Sequence, residues 1–183
     1  MTPNLMLALL AMDAYNRGSN PALDEVQGYG TSVGDANILN ISDAPLIGFS
    51  ATAYQWNGKK IISFRGTDSP VDILTGWTIG AGLTSYGNTA GPAQLEAAKT
   101  FYQLVTNQGV FDGVDSNVIL TGHSMGGALA GYIAALTGDQ ATVFDSEPFF
   151  GAALISALGE DVRNYGNYGD TALNYPLTGR FHK

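Results

Sequence analysis

The chain contains no cysteine, which excludes disulfide staples, thiolate metal sites and a cysteine nucleophile together. Histidine is almost as scarce. His123 and His182 are the whole supply, too few for a histidine-built zinc centre. Charged residues make up 13% of the chain, against roughly a quarter in ordinary soluble domains. Apolar residues hold a normal 45%, so a chain kept unfolded by its own charge is excluded. Of the few charges, 16 are acidic and 8 basic. The resulting net charge of −8 repels phosphate backbones and anionic membrane surfaces, so nucleic acid is not an expected partner. No run of about 18 apolar residues occurs, and no membrane-spanning helix is expected. Internal repeats, linkers and low-complexity stretches are missing too. Hydroxyls, carboxylates and at most two imidazoles are left for chemistry, and this needs no metal or cofactor.

What is present in excess is glycine, 24 of 183 residues, close to twice the usual ~7%. With no G-X-Y period, collagen is excluded and tight turns are the expected use. The length fits a single domain, residues 1–183, with room for a real core. The apolar start of the chain lacks the basic flank and cleavage site of a signal peptide. Cellular location is left open, between the cytoplasm and secretion without a leader. Two stripes, Leu5, Leu9 and Met12 and also Met6, Leu10 and Asp13, fall at helical spacing. An amphipathic first helix ending near Arg17 and Gly18 is expected.

Residues 18–45 are rich in Gly, Asn, Ser and Asp and read as turns with short edge strands. Phe49–Trp56 alternates, Asn57-Gly58 is a strong two-residue hairpin signal, and Lys59–Phe64 returns. Residues 70–90 are irregular, with a short helix over 71–77. A clear helix starts at Gly91-Pro92 and runs to about Asn107, with Leu95, Ala98, Phe101, Tyr102 and Val105 on one face. A strand over 117–121, a small-residue helix over 125–136, a strand over 141–145 and a helix over 149–158 follow. Strands alternating with helices from residue 59 onward predict an α/β layer sandwich. The expected sheet is mixed but mostly parallel, the hairpin adding its antiparallel part.

Gly122-His123-Ser124-Met125-Gly126-Gly127 sits between the strand and the small-residue helix. This is a G-x-S-x-G pattern in the strand-to-helix setting its mechanics require. A strand running straight into a helix strains the residue between them, and side chains at Gly122 or Gly126 would clash. Ser124 Oγ is thereby raised above the sheet beside a helix N-terminus that favours negative charge. The main-chain amide of Met125 is then a candidate oxyanion donor. The bland alternative is a glycine-rich turn with an accidental serine. The flanking strand, the helix and the small Gly127, Ala128 and Ala130 count against it.

A second segment, Ile61–Asp68, is a strand ending in Arg65-Gly66-Thr67. Its exit at the C-terminal edge of the sheet lies near the elbow. Thr67 is a candidate for the other half of an oxyanion hole. Taken alone, Arg65 is as readily a loop cap or a partner of Asp68.

In these segments and the helix over 91–107, the chain resembles the class 3 lipases, the fungal-lipase-like branch of the α/β-hydrolases. The likeness runs over about residues 47–145. It implies a three-layer α/β-hydrolase-type fold without a large cap domain, with Ser124 as nucleophile and Thr67 as oxyanion residue. It also implies cleavage of carboxylic esters of lipids or small molecules through an acyl-enzyme. A hydroxyl needs a base, and His123 is unsuited because neighbouring side chains at an elbow point apart. His182 is the base by elimination, in the expected order of nucleophile, acid and histidine. Asp139, Asp145, Glu147, Glu160, Asp161 and Asp170 are candidates for the acid. Resemblance favours Asp170, ahead of a proline-containing loop at Tyr175-Pro176, with Asp145 next. Family members are longer beyond their histidine, so the chain is either a small member or one cut short. The loop between Asp68 and Gly91, with Trp77 and Tyr86, is a lid or acyl-pocket wall, or else ordinary core. Two other functions stay open: an acyltransferase or thioesterase using the same serine, and a non-catalytic binding module. Oligomeric state is not legible.

Overall fold

The computed structural model describes residues 2–17, 30–66 and 90–147. Helix α1 (Pro3–Asp13) starts with proline in its first turn, where a missing N–H costs nothing. It runs into a 3-10 turn, Ala14–Asn16. Of the two apolar stripes, α1 buries Met6 and Leu10 together with Leu7, and leaves Leu5, Leu9 and Met12 exposed. Strands β1 (Ser32–Val33) and β2 (Ala36–Ala44) form a hairpin across Gly34-Asp35, with Val33 opposite Ala36. A 3-10 turn, Pro45–Ile47, leads to β3 (Phe49–Trp56) and β4 (Lys59–Phe64). Asn57 at φ 49° and Gly58 at φ 75° make the two-residue turn that matches strand twist, and Trp56 faces Lys59 across it.

Helix α2 (Ala90–Thr106) buries the face read from its spacing: Leu95, Ala98, Phe101, Tyr102 and Val105. Strand β5 (Val118–His123), helix α3 (Met125–Thr137) and strand β6 (Gln140–Phe144) complete the described chain. Every residue of α3 is buried, as expected of a helix apolar all round.

The six strands lie in chain order, β1 to β6, in one sheet. Here the expectation of a mostly parallel α/β-hydrolase-type sheet is corrected. The pairings β1–β2, β2–β3 and β3–β4 are antiparallel, and only β4–β5 and β5–β6 are parallel. The described sheet is therefore mixed and mostly antiparallel. The cause is connection length. Short turns between successive strands force antiparallel neighbours, and a parallel pair needs a crossover, supplied only where α2 and α3 intervene. Residues 36–44, expected to hold only turns and short edge strands, form a nine-residue strand instead. A bulge at Leu39 shifts its register against β3, and Leu39 and Ile41 lie on the strand's exposed side with Asn37.

The sheet carries α1 on one face and α2 with α3 on the other. Met6, Leu7 and Leu10 pack with Tyr54, Trp56, Ile61 and Ile119 on the first face. Phe49, Ile62, Phe64, Val118 and Leu120 pack with the two helices on the second. Neighbours such as Ile61 and Ile62 divide between faces because strand side chains alternate. Ser63, wholly buried, donates from its hydroxyl to the Leu10 carbonyl at 3.0 Å, tying β4 to the end of α1. The helix over 71–77, the helix over 149–158 and the loop over 68–89 lie outside the described residues.

Candidate active site

One residue, Ser124, separates β5 from α3. Its backbone sits at φ 56° and ψ −124°, a conformation that costs a residue with a side chain about 1–3 kcal/mol. Such strain persists only when the surroundings over-determine it. Three main-chain hydrogen bonds do so. Ser124 N–H donates to the Phe144 carbonyl at 3.0 Å, and the Ser124 carbonyl accepts from Ala128 N–H at 3.1 Å and Glu147 N–H at 3.2 Å. The glycines on either side are sterically required. A Cβ on Gly122 would fall onto the Gly126 carbonyl, and one on Gly126 onto the Phe64 carbonyl. The first turn of α3 is thus pressed against the ends of both β5 and β4.

The Ser124 side chain does not cap its own helix. Its hydroxyl donates instead to Glu147 Oε1, a long contact at 3.4 Å. Met125 buries its side chain completely in the core. Its main-chain N–H is the first of α3, among the four that no carbonyl of the helix accepts, and lies at the positive end of the helix dipole. His123 turns its imidazole away from Ser124 to Tyr15, whose hydroxyl lies 2.9 Å from Nδ1.

The two segments paired in the sequence do meet. Gly66, at the exit of β4, has no room for a Cβ because the Tyr15 hydroxyl and the His123 carbonyl occupy that space. Thr67, the next residue, lies outside the described residues, as do Glu160, Asp161, Asp170 and His182. Asp145 stands exposed just after β6 at φ 45°. Asp139 is a different matter. It precedes β6, at the opposite end of the parallel strands from Ser124, wholly buried. It accepts from the Tyr102 hydroxyl and from Asp115 N–H, both at 2.7 Å. Burial raises its carboxyl above the usual range even though these hydrogen bonds pull the other way. Asp139 is a structural carboxylate, not a partner of Ser124.

Two neighbours of the elbow escaped sequence reasoning. Tyr15 carries no local signal, since 108 residues separate it from His123. Glu147 was one acid candidate among six, and nothing in its spacing singled out its contact with the serine. Among the described residues no group of histidine and carboxylate side chains is arranged to hold a metal ion. No described helix is long and apolar enough to cross a membrane.

A family model described as phospholipase-like, the Tle-like phospholipase domain, matches residues 6–151, and the chain belongs to that family. The match supports a hydrolase or esterase kinship rather than the fungal class 3 lipase branch in particular. No curated protein and no solved structure is significantly similar to the chain.

Proposed function

We propose that this member of the phospholipase-like family is a serine hydrolase that cleaves carboxylic esters of lipids, phospholipids among them, through an acyl-enzyme. The observation that carries the reading is Ser124 alone between β5 and α3, at φ 56°, with the α3 N-terminus beside it. Attack by Ser124 Oγ on the ester carbonyl turns the carbonyl oxygen into an oxyanion. The Met125 amide and Thr67, three residues after β4 in the sequence, are the donors for that charge, each such donor typically supplying about 2.7–4 kcal/mol of transition-state stabilisation. His182 takes the serine proton and returns it to the leaving alcohol, and Asp170 orients the imidazole. Water then repeats the sequence on the acyl-enzyme. Asp145 is the weaker acid candidate, because an exposed carboxylate is screened by water.

The contact between Ser124 Oγ and Glu147 favours a second reading of one step. A carboxylate that close to Oγ stands where a base would sit, and is too near to orient an imidazole from behind. In that version Glu147, not His182, accepts the serine proton. Hydrolysis of a short-chain ester and of a phospholipid by the full chain tests both. Ser124→Ala is expected to abolish turnover. His182→Ala with Glu147→Gln decides the base: loss only in the first supports the triad, and loss only in the second supports Glu147. Full turnover by Ser124→Ala would refute the serine mechanism.

A further inference from the structure

We infer that Tyr15 is a positioning residue for catalysis, holding the nucleophile elbow and the oxyanion strand in one fixed relation. The inference rests on the serine-hydrolase reading. Tyr15 belongs to the 3-10 turn that continues α1, the helix packed on the face of the sheet opposite α2 and α3. It is only 8% exposed, and its hydroxyl reaches His123 Nδ1 at 2.9 Å. The two rings lie 6.0 Å apart at 59°, so the contact is made through the hydroxyl and not by stacking. His123 is the last residue of β5, joined by its own peptide bond to the strained Ser124. A hydrogen bond that fixes residue 123 therefore removes freedom from the backbone that must hold Ser124 at φ 56°.

The same hydroxyl has a second neighbour. An added Cβ on Gly66 would run into both Tyr15 Oη and the His123 carbonyl. The Tyr15 hydroxyl thus lies against the chain just before Thr67 while bonded to the residue just before Ser124. Those are the two segments whose spacing sets the oxyanion hole. Donor and nucleophile must keep their relative position closely, since a misplacement of about 1 Å can reduce turnover on the order of a hundredfold. Neither segment alone fixes that spacing. Tyr15 touches both.

Tyr15→Phe removes the hydroxyl and keeps the ring, while Tyr15→Ala removes both. For ester hydrolysis by the full chain, Tyr15→Phe is expected to lower kcat by about tenfold with KM changed less than about twofold. A residue that merely filled space would tolerate phenylalanine and fail only as alanine. A double-mutant cycle with His123→Ala adds a second readout. Once His123 is gone, removing the Tyr15 hydroxyl should lower kcat little further. Wild-type kcat in Tyr15→Phe, or losses that simply multiply in the double variant, would overturn the inference. Amide hydrogen exchange separates its failure from that of the hydrolase reading. Exchange is expected to rise in Tyr15→Phe in both 62–66 and 121–126, whether or not the chain turns over esters. A rise in only one segment, or in neither, overturns the inference. Both rises in Tyr15→Phe, together with a wild type inactive on esters, would overturn the hydrolase reading alone.

Discussion

At the level of single residues, the site depends on what Gly122 and Gly126 leave out. Each lies so close to a carbonyl of a neighbouring element that a methyl group has nowhere to go. Gly126→Ala must therefore push α3 away from the end of β4. Overpacking of this kind typically costs about 1–3 kcal/mol. Urea denaturation is expected to register that loss, and an unchanged midpoint would contradict the packing described. The elbow itself was legible in the sequence, because the pattern, its strand and its helix lie within twenty residues and obey local rules. The partners that hold it were not. Tyr15, Phe144 and Glu147 reach Ser124 or His123 through contacts that no periodicity encodes.

At the level of elements, α1 is fastened to the sheet by its apolar stripe and by a bond from Tyr54 of β3 to Asp13, itself paired with Arg17. Arg17 Nε donates to Asp13 Oδ2 at 2.7 Å and its NH2 to Oδ1 at 3.0 Å, while the Tyr54 hydroxyl donates to Oδ2 at 2.7 Å. Asp13 and Arg17 are each only 5% exposed, and a further Arg17 bond to the Gly30 carbonyl extends the cluster. Burial, reinforced by the adjacent Asp13 charge, holds the Tyr54 hydroxyl well above the usual phenol range. Removing one partner strands the other charge in a dry environment, so Asp13→Ala is expected to cost about 3–5 kcal/mol. Because Tyr15 sits between these two residues, the same variant should also lower ester turnover. Calorimetry with activity assays on the surviving folded fraction checks both. Asp13 falls on a legible helical stripe and its partner Arg17 stands at the i,i+4 spacing of a helical ion pair, but its bond to Tyr54 across 41 residues was not foreseeable from spacing.

At the level of the whole molecule, the sheet divides into an antiparallel half built from hairpins and a parallel half that carries Ser124. The parallel half was readable from β4 onward through its near-continuous apolar strands and intervening helices. The antiparallel half was underestimated. Strand β2 carries Asn37, Asn40, Ser42 and Asp43, poor strand formers that stay paired through backbone hydrogen bonds with β3. The Gly34-Asp35 turn, with Val33 opposite Ala36, is its local hairpin signal.

The end of the parallel strands opposite Ser124 carries a consequence for pH. Asp139 binds its proton more tightly folded than unfolded, since burial raises its pKa from 3.8. Its contribution to stability is therefore greatest below that value and is lost as pH rises through the raised one. Asp139→Asn removes the ionisation. Its melting temperature should fall less than that of the parent between pH 3.8 and neutrality. Parallel pH profiles would contradict this.

The serine mechanism itself comes down to the reactivity of one hydroxyl. Treating the 183-residue chain with a fluorophosphonate at neutral pH and mapping the adduct by peptide mass spectrometry reads that hydroxyl without any choice of substrate. The geometry predicts a single covalent adduct on Ser124, abolished in Ser124→Ala. An unmodified Ser124, in a chain shown by circular dichroism to be folded, would contradict it.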